Sequence, residues 1–181
     1  MPGVGAGQFP AVALTVKFDG TDRPTAAISD SIAEIAAGTQ VLALATADAA
    51  GAPHANMAFF ALGREFDLFF VSEPSTLHGR NAAGRTSTSA AIWLPPPEFG
   101  EGLRGMQLTG ECAIARGEDA GAAFEAYQGR FPSFGADPAV RAAFLDGTAA
   151  ANLYRFRVSH LRLVDEPNLG RRNYLELRVL R

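Results

Sequence analysis

The chain has 181 residues, enough for one domain with a full core; 48% of them are apolar and 19% are charged. A formal net charge of -3 excludes an overall basic field that would draw nucleic acid or an anionic membrane surface. The single cysteine, Cys112, excludes an internal disulfide and a cysteine-rich metal site, and on a strand such a thiol reads as a small core residue.

Residues 1–10, "MPGVGAGQFP", mix glycine with proline and read as the start of a flexible N-terminal extension that reaches residue 24. They show no basic region followed by an apolar block, and no apolar run is long enough to span a bilayer. A cytoplasmic protein is the simplest reading. Within the extension, residues 11–18, "AVALTVKF", can pair as an edge strand.

Residues 25–181 read as one domain. From Thr25 the pattern is helical: Ile28, Ile32 and Ile35 share a stripe, Ser31 and Glu34 form an S-x-x-E capping box, and Gly38 is a terminator. Residues 40–47, 54–62 and 66–72 are three strands. Their links, "DAAGAP" and "GRE", are too short for a crossover helix, so the strands form an antiparallel meander. Residues 86–94 are a fourth strand. The loop "PPPEFGEG" after it is stiff at first and then flexible. Residues 103–116 are a long strand whose glycines suggest a bulge or a barrel bend.

Residues 118–132 are a helix with Phe124 and Tyr127 on its apolar face, ended by Pro132. A second helix spans residues 137–145, with Asp137 as N-cap and Pro138 at the first helical position. Residues 152–166 and 173–180 alternate apolar with polar, as strands with one wet face do. Six or seven antiparallel strands with a few short helices predict a mainly β fold, a closed or partly closed barrel.

Several chemistries lack their signatures. Ser72 or Ser75 with His78 has no G-x-S-x-G elbow, so a hydrolase is not indicated. His54, His78 and His160 are the only histidines; none is paired at metal-ligand spacing, and His160 falls on a wet strand face. Neither "GAGQFP" nor "GEGLRG" sits between a strand and a helix as a dinucleotide loop must. The stretch "FFVSEPSTLHGRN", residues 69–81, leaves two readings open. It is a polar turn in which Ser and Thr cap a helix, or an anion site in which helix amides, the hydroxyls of Ser75 and Thr76, and His78 or Arg80 meet a phosphate.

The order of motifs adds to this. A helix precedes "LALATADAAGAPHANMAFFAL", then come "FDLFFVSEPSTLHGRNAAG", a further strand and "RGMQLTGECAIA". In this order the chain resembles the pyridoxamine 5'-phosphate oxidase-like superfamily of FMN-binding split β-barrels, from Ile28 to Ala115. The later pieces "AYQGRFP" and "LYRFRVSHLRLVDEPNLG" are similar to a small bacterial branch of it. The resemblance implies a six-stranded antiparallel split β-barrel, a homodimer, and FMN in a groove between subunits. It puts Ser72, Thr76 and His78, with Asn81 close behind, at the flavin phosphate. It runs Asn56, Met57, Ala58 and Phe59 along the isoalloxazine and brings Gln107 to the ring. Leu77 stands where the family often has arginine, and His78 where it often has lysine. Arg80, or Arg104 or Arg171 from a second subunit, would then have to supply the missing charge.

The function so implied is an FMN-dependent oxidoreductase acting on a small molecule, with catalytic residues and substrate unassigned. Relatives of the barrel also bind deazaflavin F420 or haem; for haem, His54, His78 or His160 are candidate axial ligands. A non-enzymatic dimer that binds flavin or a small anion is the third reading. The loop over residues 95–102 reads equally as a lid or a bare loop tip, and Trp93 as a half-buried barrel aromatic.

Overall fold

The structure is a computed structural model that describes residues 12–84, 87–171 and 173–181. The flexibility expected of residues 1–10 falls outside these, as does Thr86 at the start of the fourth expected strand.

The isoleucine stripe produces the first helix. α1 (Thr25–Ala37) buries Ile28, Ile32 and Ile35 completely. It starts earlier than the S-x-x-E pattern requires: Pro24, at φ -56°, leads directly into Thr25 and no side chain caps the end. Ser31 therefore lies inside the helix, buried, and Glu34 pairs with Arg104 at 2.7 Å. The box is not a cap, because burying Ile28 draws the helical start upstream of it.

The strands are β1 (Lys17–Asp19), β2 (Val41–Ala47), β3 (Pro53–Leu62), β4 (Asp67–Ser72), β5 (Ser87–Leu94), β6 (Arg104–Ile114), β7 (Asn152–Asp165) and β8 (Tyr174–Leu180). The remaining helices are α2 (Leu77–Gly84), α3 (Glu118–Arg130), α4 (Pro138–Asp146) and α5 (Glu166–Leu169). α4 is capped as its sequence predicts, with Asp137 accepting from the Ala139 amide at 2.8 Å. α5 takes the place of the expected last residue of β7.

β2, β3 and β4 form the expected meander, and β5 and β6 a hairpin beyond it. Closure comes from β7. One edge of β7 pairs with β6 along residues 154–165; the other pairs with β4 over 152–157 and with β8 over 160–164. The order β7-β4-β3-β2-β5-β6 then returns to β7, giving a closed six-strand antiparallel barrel. β8 and then β1 extend the sheet outside it. Val16 and Phe18 are buried, and Phe18 meets Phe66 edge-on at 6.1 Å. Residues 16–19, grouped with the extension on sequence grounds, are thus part of the fold, since they cover core that water would otherwise reach.

Inside the barrel Leu42, Leu44, Phe60, Ile92 and Phe156 are fully buried, and Phe70 stacks on Tyr154 at 5.1 Å. Cys112 is among them; burial pushes its thiol up to about 12, which makes it an inert core group. A second cluster, with Phe124 and Tyr127 buried, packs α3 on the barrel wall. Arg130, at the end of α3, donates to the carbonyls of Ala36 and Thr39 and lies 4.7 Å over the Phe60 ring. It thereby satisfies orphan carbonyls at the end of α1.

Residues opposite one another in an antiparallel ladder share a face. One row on the outer wall therefore runs Met57, Ala43, Ala91, Gln107, Arg162, Glu176. The next runs Ala55, Ala45, Ser89, Thr109, His160, Arg178. Small residues fill the β2–β5 part of this face; Met57, Phe59 and Trp93 beside them are 78%, 54% and 51% exposed.

Candidate functional site

β4 ends at Ser72 and the chain turns over Glu73–Thr76 into α2. Thr76 makes the turn: its amide and hydroxyl both donate to the Glu73 carbonyl, at 3.1 and 2.7 Å, and its oxygen accepts from the Gly79 amide at 3.2 Å. This is helix capping, one of the two sequence readings. The turn also gathers polar atoms. Ser72 Oγ lies 2.6 Å from His78 Nε2 and 3.1 Å from Thr76 Oγ1, and Thr76 Oγ1 lies 3.3 Å from His78 Nε2.

This cluster closes one end of a groove of 440 Å³. Asn56, Met57, Ala58 and Phe59 of β3 form its long side; Val71, Ser72 and His78 form the end, and Val41 and Tyr127 complete it. The structure thus brings together Asn56, Met57, Ala58, Phe59, Ser72 and His78, with Thr76 joined through its hydrogen bonds. Two expected residues stand apart. Asn81 is buried and turned inward, its amide donating to Thr46 Oγ1 at 3.1 Å. Gln107 is on the outer wall three strands from Met57, roughly 14 Å at ~4.8 Å per strand. Tyr127 enters the groove from a helix that sequence reasoning treated only as core; its distance along the chain left no local signal.

The groove has no permanent cation among its described lining residues. Arg80 donates to the Ser75 carbonyl within the turn. Arg104 is held by Asp165 and Glu34, and Arg171 donates to the Gly100 carbonyl at 3.0 Å. Positive charge here falls to His78. Burial holds its pKa below the ordinary value, and the His54 ring, parallel at 6.3 Å, lowers it further. Near neutral pH the imidazole is therefore uncharged.

Asn56 Oδ1 is buried without a hydrogen-bond partner, and its Nδ2 reaches only the Met57 carbonyl, at 3.4 Å. Strand alternation turns the Asn56 side chain toward the face of the buried Leu44 and away from that of Met57 and Phe59, so this oxygen is closed off from the groove, and an unsatisfied buried acceptor costs about 1–3 kcal/mol. Tested against FMN, the residues fit. The apolar side of Met57, Ala58 and Phe59 suits the ring, and the Ser72 hydroxyl with the His78 imidazole suits the phosphate.

No family model and no curated protein matches the sequence. Solved structures do. A haem-binding protein from Mycobacterium smegmatis aligns with TM-score 0.63 and 24% identity, over 88% of this chain and 59% of that one. HutZ, the haem storage protein of Vibrio cholerae, aligns with TM-score 0.53 and 18% identity, over 74% and 92%. A Listeria innocua protein assigned as a candidate pyridoxamine 5'-phosphate oxidase aligns with TM-score 0.53 and 14% identity, over 75% and 96%. The chain therefore has the split-barrel fold of the pyridoxamine 5'-phosphate oxidase-like proteins, and it spans 59% of the length of the mycobacterial protein.

Proposed function

We propose that the protein is a homodimeric FMN-binding oxidoreductase acting on a small molecule. The observation that carries this reading is the continuity of the groove. Asn56, Met57, Ala58 and Phe59 line its side, and Ser72, Thr76 and His78 meet at its end. A planar ring with a phosphate tail needs both. When bound, the flavin supplies the redox chemistry. Ser72 orients the phosphate through its hydroxyl, Thr76 holds the turn that presents it, and Met57 and Phe59 keep water from one face of the ring.

The dimer is supported by the outer wall. Ala43, Ala45, Ala91 and Ser89 make a smooth strip next to the exposed Met57, Phe59 and Trp93. Fully burying side chains of the last kind is worth about 1.5–3 kcal/mol each. A second copy on this strip would also bring its own Gln107 toward the ring, which the first copy's Gln107 is too far away to meet.

Adding FMN to the purified protein is expected to give protein-bound flavin absorption, with affinity reduced in Thr76→Ala and His78→Ala. No bound flavin after FMN addition would remove the proposal. A flavin that binds but accepts no electrons from any reductant would leave a binding module. One observation favours haem as a second reading: His54 and His78 present parallel rings, and an uncharged His78 has a lone pair to give. A strong Soret band on adding haemin, lost in His78→Ala, would select it.

A further inference from the structure

A second concavity, of 360 Å³, lies on the outer wall over β6, β7, β8 and the end of β1. Two local features make a sheet face concave here. β7 bulges: His160 faces Thr109 but Val158 faces Gly110, and the extra residue, Ser159, folds its hydroxyl onto the Thr109 carbonyl at 3.1 Å. After β1, Gly20 adopts φ +102° against β8, where a Cβ would lie 2.5 Å from the Glu176 carbonyl oxygen. The chain crosses there without a side chain, and the cleft stays open above the buried Leu161 and Leu177.

The charges in the cleft are not equally committed. Arg162 pairs with Glu176 at 3.6 Å and lies 4.8 Å over the Tyr174 ring. Asp19 accepts from the Gly20 amide at 2.9 Å. Arg178 stands directly opposite His160 of β7 on one side and Asp19 of β1 on the other, and enters no ion pair within 4.0 Å among the described residues. His160 engages Ser159 through Nδ1 at 3.0 Å, which leaves Nε2 available. The bulge sets Thr109 directly opposite it.

We propose that this cleft binds a small anion, a carboxylate or a phosphoryl group, held by the Arg178 guanidinium with His160 Nε2 and the Thr109 hydroxyl. A guanidinium fork matches either oxyanion, and charge-assisted hydrogen bonds to it are the strong ones. Within one chain the cleft is apart from the β3–β4 groove, but Gln107 also lines it, so in the proposed dimer it borders the second copy's flavin and deepens that reading.

The test is a titration of the isotopically labelled full chain, in the His78→Ala background, with inorganic phosphate and separately with acetate, followed by NMR. Removing His78 disables the other anion candidate. Saturable shifts of the Arg178 and His160 side-chain signals are expected for at least one ion, in the millimolar range that a few exposed contacts give. Arg178→Ala should weaken that binding by about tenfold or more, as the loss of a charged hydrogen-bond partner predicts. The ion that saturates names the ligand group. Absence of saturation with both ions, or equal affinity in Arg178→Ala, overturns the proposal. All three side chains are exposed, so these variants leave the core intact. FMN titration of the protein with His78 intact reads the flavin proposal by a separate experiment.

Discussion

His78 Nε2 sits 2.6 Å from Ser72 Oγ while burial and the facing His54 keep its pKa below 6.5. The groups around it are few: Ser72 from β4, His54 from β3, Thr76 at its own turn, and Tyr127 of α3 on the same groove. Glu73 and Arg80, its charged neighbours in sequence, engage Ser75 instead. A lowered histidine pKa means that the folded chain holds this proton less tightly than the unfolded one. Its contribution to stability is therefore present above pH 6.5 and lost as pH falls below it. A bound phosphate reverses the preference, because it stabilises the imidazolium. The wild-type affinity for FMN, divided by that of His78→Gln, is expected to rise as pH drops below 6.5. The division removes the phosphate's own titration, and a flat ratio in fluorescence titrations would show that His78 does not touch the phosphate.

Between elements, Arg104 ties α1, β6 and β7 together. Its Nε and Nη2 donate to the two Asp165 oxygens at 2.9 and 2.8 Å, and Nη2 also reaches Glu34 at 2.7 Å. Burial alone would raise the Asp165 pKa, but hydrogen bonds from Arg104 and Asn168 hold it below 3.8. The pair's stability is present above that value and is lost as pH falls through the lowered pKa. Asp165→Asn should cost about 3 kcal/mol in urea unfolding, the low end for breaking a buried pair, because Arg104 keeps partial contact with water. The variant should also lose less stability on acidification than the wild type.

The bulge makes a second element-scale prediction. A Cβ at Gly110 would stand 2.0 Å from the Arg157 carbonyl oxygen, closer than any side chain tolerates. Gly110→Ala is expected to destabilise the β6–β7 pairing by more than about 2 kcal/mol, visible as a lowered urea midpoint, since the obstacle is backbone.

At the scale of the whole molecule, the exposed β3 rim is the test. Met57 and Phe59 line the groove and flank the alanine strip at once. Met57→Glu places a charge there, while β3 pairing does not need the thioether. Light scattering is expected to show a dimer for the wild type and a monomer for Met57→Glu. FMN affinity should fall with dimerisation, because the flavin proposal uses Gln107 of a second copy. A monomeric wild type that binds FMN fully would separate the flavin site from the dimer.

Much of the barrel is legible along the chain, for a local reason. Alternation at period two fixes which strand face is apolar, and links as short as "GRE" permit only antiparallel neighbours. The helices of residues 118–132 and 137–145 announce themselves equally locally, the second through Asp137. The polar cluster of Ser72, Thr76 and His78 is likewise a short-range event, made within a single turn. What lies outside local reach was decided by packing. Closure needs both edges of β7, far along the chain from β4. The start of α1 follows the burial of Ile28 and not the Ser31–Glu34 pattern. Asn81 turns to Thr46 because a buried amide must find a partner. Tyr127 reaches the groove, and Gln107 is carried around the wall, only once the sheet has closed. The sequence by itself determined the strands, their faces and the polar turn; tertiary structure alone decided which of those residues share a groove, because that depends on pairings between distant segments.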